Sequence, residues 1–421
     1  MTSDNSNVFG EDSEKFEKDI SPKFIDHSSF ETKKKFLPWH KPRKQLVRIE
    51  QWGASVGRLA DTLDLGRRDK PLTYLSLPGS DLLDIRALHS IFEHKNLHLQ
   101  FLGLNSGAHS EPEDELADAA LLNQVRSMSH IDARSEIVID RFEHLAKKGS
   151  ISYDRVINQR ASFDVVNIDL CGTVAEGSPK TKGPTLINAV FKLLSHQATS
   201  RTDDWIFFLT TRSNRDMVDK KTMQVLVDSV NTLIANDHKW LSVLLQANVI
   251  KSAELTDGII DIGSLCETSF SNVFSFGIGN WVIKALTGSE PSWRVDMLPQ
   301  FAYHVSLKDE SCDMLSLGFY CKKANIMPAI DSIGLAILET GNSPMPTSVL
   351  TQKCQEKAIN QVGKSRDIDV SLHRDEKAYA EYLERSVELL VGARYDGDAY
   401  RKWADAEKGT ITTYLTAMKL V

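Results

Sequence analysis

The chain has 421 residues, 41% hydrophobic and 25% charged, a composition that excludes collagenous, wholly disordered and disulfide-scaffold classes. At that length more than one folding unit is expected. The net charge of −7 argues against a surface coated with nucleic-acid-binding charge and leaves room only for local basic patches.

Five scattered cysteines with no CxxC pair imply neither a zinc ribbon nor a disulfide framework, so a reducing cytoplasm is the expected home. The longest uncharged run, Thr268 to Ile283, is too short and too polar to span a bilayer, and the polar N-terminus does not read as a signal peptide.

Residues 1–31 carry eight acids and three bases and read as a flexible acidic tail. Seven lysines and arginines with no acid then fall between Lys33 and Arg48, with Pro38, Trp39, His40 and Pro42 among them. Proline makes the first half of this run extended, and from Val47 a helix follows with Trp52, Val56, Leu59 and Leu63 on one stripe. Residues 32–66 therefore form a basic segment and leading helix.

From Leu72 short apolar runs alternate with helical segments, the pattern of a parallel sheet covered by helices. The strands are expected at Leu72 to Leu77, Leu97 to Leu104, Glu136 to Ile139, Phe163 to Leu170 and Trp205 to Thr210. Lys239 to Arg294 reads as mixed helix and loop, with Gly277 and Gly279 in a turn. Phe301 to Ser306 and Met314 to Tyr320 follow as a hairpin. Residues 67–343 are thus one α/β domain and 344–421 a charged helical region.

Five such units ending in an antiparallel hairpin resemble the class I S-adenosylmethionine-dependent methyltransferases over roughly residues 45 to 325. The resemblance implies a Rossmann-like, mostly parallel sheet flanked by helices, with ligands at the carboxyl ends of the strands. It places Pro78, Gly79 and Asp81 in the loop that passes the amino-acid end of the cofactor, where a single glycine stands; Asp81 also reads as a helix N-cap. It places Asn105 at the ribose, Asp140 at the adenine amino group and Phe142 against the ring. A turn residue, an N-cap and a core side chain are the ordinary readings of these three.

After the fourth strand, Asp169 stands where the family keeps its catalytic motif and can orient a target amine, although the prolines and aromatic of nucleic-acid amino-methyltransferases are missing. Cys171 is the alternative nucleophile, or a small strand-end cysteine. Phosphate loops, HExxH, GxSxG and clustered Cys/His spacings are absent, and no metal ligand is expected; a lone His304 reads as a polar core residue.

Lys41, Arg43, Lys44 and Arg48, with Trp39 and His40 offering flat faces, read as a phosphate-binding segment that Lys180 and Lys182 extend toward the site. Two readings follow. One is a divergent methyltransferase using S-adenosylmethionine on RNA or DNA. The other is a degenerate fold that has lost the cofactor and binds nucleic acid or a protein partner in a bacterial complex such as a defence system. A small-molecule methyltransferase would leave the basic segment without a task. No membrane association is expected.

Overall fold

The chain enters the fold through a single 3₁₀ turn, Pro38–His40, and helix α1 (Pro42–Leu46), which continues through a π-helical stretch, Val47–Gly53, into α2 (Ala54–Thr62). Pro42 opens α1 at the position where a missing N–H is harmless, so proline starts a helix here instead of holding the segment extended. Trp52, Val56, Leu59 and Leu63 are buried along one stripe, as the periodicity requires. The computed structural model describes residues 32–68, 70–107, 112–177, 183–308, 311–324 and 345–421. The acidic tail 1–31 and the lysines Lys180 and Lys182 lie outside the described residues.

After α3 (Leu65–Arg68) come the alternating units: β1 (Leu72–Ser76), α4 (Leu83–Lys95), β2 (Leu99–Asn105), α5 (Pro112–Arg126), β3 (Glu136–Ile139), α6 (Ile151–Tyr153), β4 (Val165–Asp169), α7 (Leu186–Ser200), β5 (Trp205–Arg212) and α8 (Lys220–Asn236). Then follow α9 (Lys239–Gln246), a two-stranded ribbon of β6 (Leu255–Thr256) and β7 (Ile259–Ile260), α10 (Glu267–Thr287), β8 (Trp293–Met297), β9 (Phe301–Tyr303) and β10 (Met314–Lys323). Helix α11 (Thr347–Gly363), strand β11 (Arg366–Asp367) and helices α12 (Ile368–Arg374), α13 (Glu376–Gly392) and α14 (Gly397–Ala417) complete the chain.

The large sheet has the order β11-β9-β10-β5-β4-β1-β2-β3, with β8 paired to the far half of β10. Strands β1 to β5 are parallel, and β10 returns antiparallel beside β5 from Met314 opposite Arg212 to Cys321 opposite Trp205. This is the Rossmann-like α/β sheet expected from the sequence, mostly parallel and closed by the β9–β10 hairpin, with helices on both faces and a helical C-terminal region. Strand order reverses between β1 and β4, which puts a ligand crevice at their carboxyl ends.

The strands are buried on both faces, so their runs are apolar throughout rather than alternating. One core packs α7, α8 and α10 on one face; a second packs the Trp52–Leu63 stripe and α4 on the other. The region expected to be mixed helix and loop contains the 21-residue α10, buried nearly all round. Gly277 lies inside it, not in a turn. A Cβ there would stand 2.8 Å from the Leu226 Cβ, so glycine is what lets α10 and α8 approach. No helix among the described residues is long and apolar enough to cross a membrane.

Candidate functional site

The turn after β1 has the backbone form that the glycine-loop reading requires. Gly79 takes φ +62°, and a Cβ built on it meets nothing within 4 Å, so space is open above the loop. Pro78 packs on the neighbouring strand, close enough that a Cβ at Gly103 would stand 2.8 Å from its ring. Asp81 is neither open to a ligand nor an N-cap. Leu82, with φ 54°, takes the cap position before α4, and the Asp81 carboxylate accepts from the Tyr395 hydroxyl at 2.8 Å with His40 Nε2 at 3.7 Å.

The next two strand ends serve their own loops. Asn105 Oδ1 accepts from the Gly107 N–H at 3.3 Å, an Asx turn that leaves its amide nitrogen and one lone pair for a ligand. Asp140 is full: Oδ1 faces His144 Nδ1 at 2.6 Å and the Arg141 N–H at 2.9 Å, and Oδ2 accepts the N–H and hydroxyl of Ser152, both at 2.9 Å. Burial works to raise its pKa, and the bonds from Ser152 and His144 outweigh that and hold it below the ordinary carboxylate value. Phe142 is a core side chain of the 3₁₀ turn Phe142–Ala146. The expected adenine contacts of Asp140 and Phe142 are therefore not offered; both residues anchor the turn after β3.

At the end of β4 the basic segment and the catalytic position meet. Lys44 Nζ lies 2.6 Å from Asp169 Oδ1 and 3.4 Å from the Tyr303 hydroxyl, over the Trp52 ring at 4.6 Å. Burial opposes the charge on Lys44, but the adjacent Asp169 carboxylate more than offsets it and the pKa rises. Below this pair, Asn167 Nδ2 donates to the Tyr74 hydroxyl at 2.8 Å, and that hydroxyl donates to Asp84 Oδ2 at 2.9 Å. Asn167 Oδ1, Thr210 Oγ1 and Arg48 Nε are buried with no hydrogen-bond partner among the described residues. Such atoms call for water or a ligand at the ends of β4 and β5.

The basic segment is not a solvated phosphate surface. Arg43 Nη1 is 2.6 Å from Asp369 Oδ1, Lys41 pairs with Glu407, and Arg48 Nη2 donates to the Trp39 carbonyl at 3.1 Å. All four cations are less than 9% exposed. The sequence showed no nearby acid for Lys41, Arg43 and Lys44 because the acids that meet them, Glu407, Asp369 and Asp169, come more than a hundred residues later; Lys34 and Lys35 at the start of the run are exposed. Cys171 is exposed beside Asp169, and burial of its thiol followed by the Asp169 charge raises its pKa, against a role as a thiolate nucleophile. Lys44 was read as a phosphate ligand and not as the partner of Asp169, and Tyr303 was not legible at all: it sits in an apolar hairpin strand, and no local pattern marks its hydroxyl.

A family model described as PP_RS20740-like matches residues 33–405. The chain belongs to that family. No curated protein matches the chain. Among solved structures, an O-methyltransferase family protein from Burkholderia thailandensis aligns with a TM-score of 0.25 and 12% identity over 69% of this chain. The alignment spans 65% of that protein, just under two thirds of its length.

Proposed function

We propose that this member of the PP_RS20740-like family is an S-adenosylmethionine-dependent methyltransferase whose acceptor is a small polar molecule presented to Asp169. The observation that carries the reading is what stands at the strand-order reversal. Gly79, in the left-handed conformation with open space above it, follows β1, and the Asp169–Lys44 pair with its partnerless polar neighbours lies at the end of β4.

The residues fit the cofactor at two of its three parts. The Gly79 turn offers backbone for the amino-acid end, and Asn105 keeps a donor and a lone pair for the ribose; Asp140 and Phe142 offer the adenine nothing. When bound, the cofactor supplies the methyl group. Asp169 accepts a hydrogen bond from the acceptor with its second oxygen, while Lys44 Nζ, 2.6 Å from Oδ1, fixes the orientation of the carboxylate. Because the basic segment has a structural task, the objection to a small acceptor falls away, and a nucleic acid acceptor has no described cation to hold it among Lys41, Arg43, Lys44 and Arg48.

The full Asp140 favours the second reading, a fold that has lost the cofactor and serves as a binding subunit. Calorimetry with S-adenosylmethionine and S-adenosylhomocysteine separates the two. Stoichiometric binding that is lost in Gly79→Val is expected; no heat at millimolar cofactor removes the enzyme reading in favour of the subunit.

A further inference from the structure

The β9–β10 hairpin and the start of α12 bring together three residues that the sequence scatters over more than sixty positions. His304 follows β9, Cys312 lies in the hairpin loop and Asp367 ends β11. One nitrogen, the sulfur and one carboxylate oxygen from these residues all lie within 4.8 Å of one another. His304 Nδ1 and Cys312 Sγ are 3.7 Å apart. Bonds of about 2.3 Å to sulfur and 2.0–2.1 Å to nitrogen at a tetrahedral angle subtend an edge of roughly 3.6 Å, so the spacing is that of two ligands on one zinc ion.

We propose that His304 Nδ1, Cys312 Sγ and a carboxylate oxygen of Asp367 form a three-ligand site for a zinc-class divalent ion, with water in the fourth position.

The neighbouring charges support this. Asp369 is bound to Arg43 at 2.6 Å and Asp313 to Arg212 at 2.7 Å, so these two acids already have cations, whereas Cys312 and Asp367 face no arginine or lysine among the described residues. The residue is held through its backbone and ring. Asp369 Oδ2 accepts the His304 backbone N–H at 2.7 Å, and the ring packs on Tyr414; the same carboxylate oxygen lies 3.3 Å from Nδ1, a contact that an ion on Nδ1 would replace. His304 is wholly buried and its Nε2 has no hydrogen-bond partner among the described residues. Asp367 uses Oδ1 to cap α12 through the Val370 N–H at 3.0 Å, and its carboxylate also takes a hydrogen bond from the Cys312 thiol, whose proton a bound ion would displace. Cys312 and Asp367 are only half-buried, which leaves a way in for the ion and a water.

The donor set of one thiolate, one imidazole and one carboxylate suits zinc better than magnesium or calcium, which prefer oxygen alone. Cys312 binds as the thiolate, its proton passing to solvent. Because the ligands come from the hairpin and from the β11–α12 junction, the ion ties α12 to the sheet edge. This inference stands apart from methyl transfer and does not depend on it.

The test uses the full chain, stripped with chelator and titrated with Co²⁺ alone, then with Zn²⁺ in competition. One equivalent of Co²⁺ is expected to produce a thiolate-to-cobalt charge-transfer band that Zn²⁺ abolishes. Cys312→Ser should remove the band and Asp367→Asn should weaken affinity at least tenfold, while Cys266→Ser leaves both unchanged. The melting temperature should rise with Zn²⁺ in the unmutated chain and not in Cys312→Ser. A missing band, or one that survives Cys312→Ser, overturns the site. If that variant does not fold, unaltered affinity in Asp367→Asn overturns it as well.

Discussion

Lys44 Nζ sits 2.6 Å from Asp169 Oδ1, joining the first helix of the fold to the end of β4 beside the strand-order reversal. Lys44 is 3% exposed and Asp169 23%, so the lysine has little water to fall back on if its partner is removed. Breaking such a pair costs more than replacing both members, because the remaining charge stays buried. Asp169→Leu should therefore destabilise the chain by about 3 kcal/mol, and Asp169→Leu with Lys44→Met should recover about 2 kcal/mol of that loss. Urea unfolding of the four proteins measures the coupling; additive single losses would show that the pair carries no joint energy.

The second buried pair gives a pH signature. Burial acts to raise the Asp369 pKa, but Arg43 and His304 more than reverse it, and the carboxyl is held down to about 2. Its folded value lies below the unfolded one of about 3.9, so the stabilisation is complete above pH 4 and is lost as pH falls toward 2. That difference corresponds to roughly 2–3 kcal/mol. Asp369→Asn should be less stable at pH 6 and should show a flatter decline from pH 4 to 2 than the unmutated chain. Parallel declines in chemical denaturation at each pH would mean that another group dominates the acid limb.

The same two pairs show what the sequence could and could not convey. Strands β1 to β5 were legible because a doubly covered parallel strand must be an apolar run, and α7 and α8 because one face of each is wet. Helix α10 was not, since burial nearly all round erases the helical period on which the reading depends. The basic run was read correctly as a charge feature and wrongly as a surface. Whether Arg43 meets water or Asp369 is decided by topology, 326 residues further along the chain. At the site, the order of strand-end residues was visible, but hydrogen bonding was not: nothing near Asp140 announces that Ser152 and His144 fill its lone pairs.

Cys171 offers a check on the electrostatics around Asp169. Burial and the nearby carboxylate raise its pKa, with Lys44 acting in the opposite direction. At pH 7.5 its alkylation by iodoacetamide should be a few-fold slower than that of an unperturbed thiol. Asp169→Asn should speed it and Lys44→Met should slow it. Mass spectrometry of the Cys171 peptide follows the rate, and a rate indifferent to both substitutions would separate Cys171 from the pair.

Charge reversal of the basic segment distinguishes its structural role from phosphate binding. Lys41→Glu would face Glu407, Arg43→Glu would face Asp369 and Lys44→Glu would face Asp169, each as two carboxylates at a site built for an ion pair. Like charges held together away from water cost several kcal/mol, and three at once exceed about 5 kcal/mol, comparable with the whole stability of many domains. The triple variant should therefore lose its cooperative melting transition, and Arg43→Glu alone should lower the melting temperature sharply. Lys41→Gln, at the least buried of the three positions, should remain folded, and any nucleic acid affinity of the chain at about 50 mM salt should keep the same slope against salt concentration. Should the triple variant instead melt like the unmutated chain while its salt slope flattens, these side chains would have to leave their acids in solution, and the segment would again be a phosphate-binding surface.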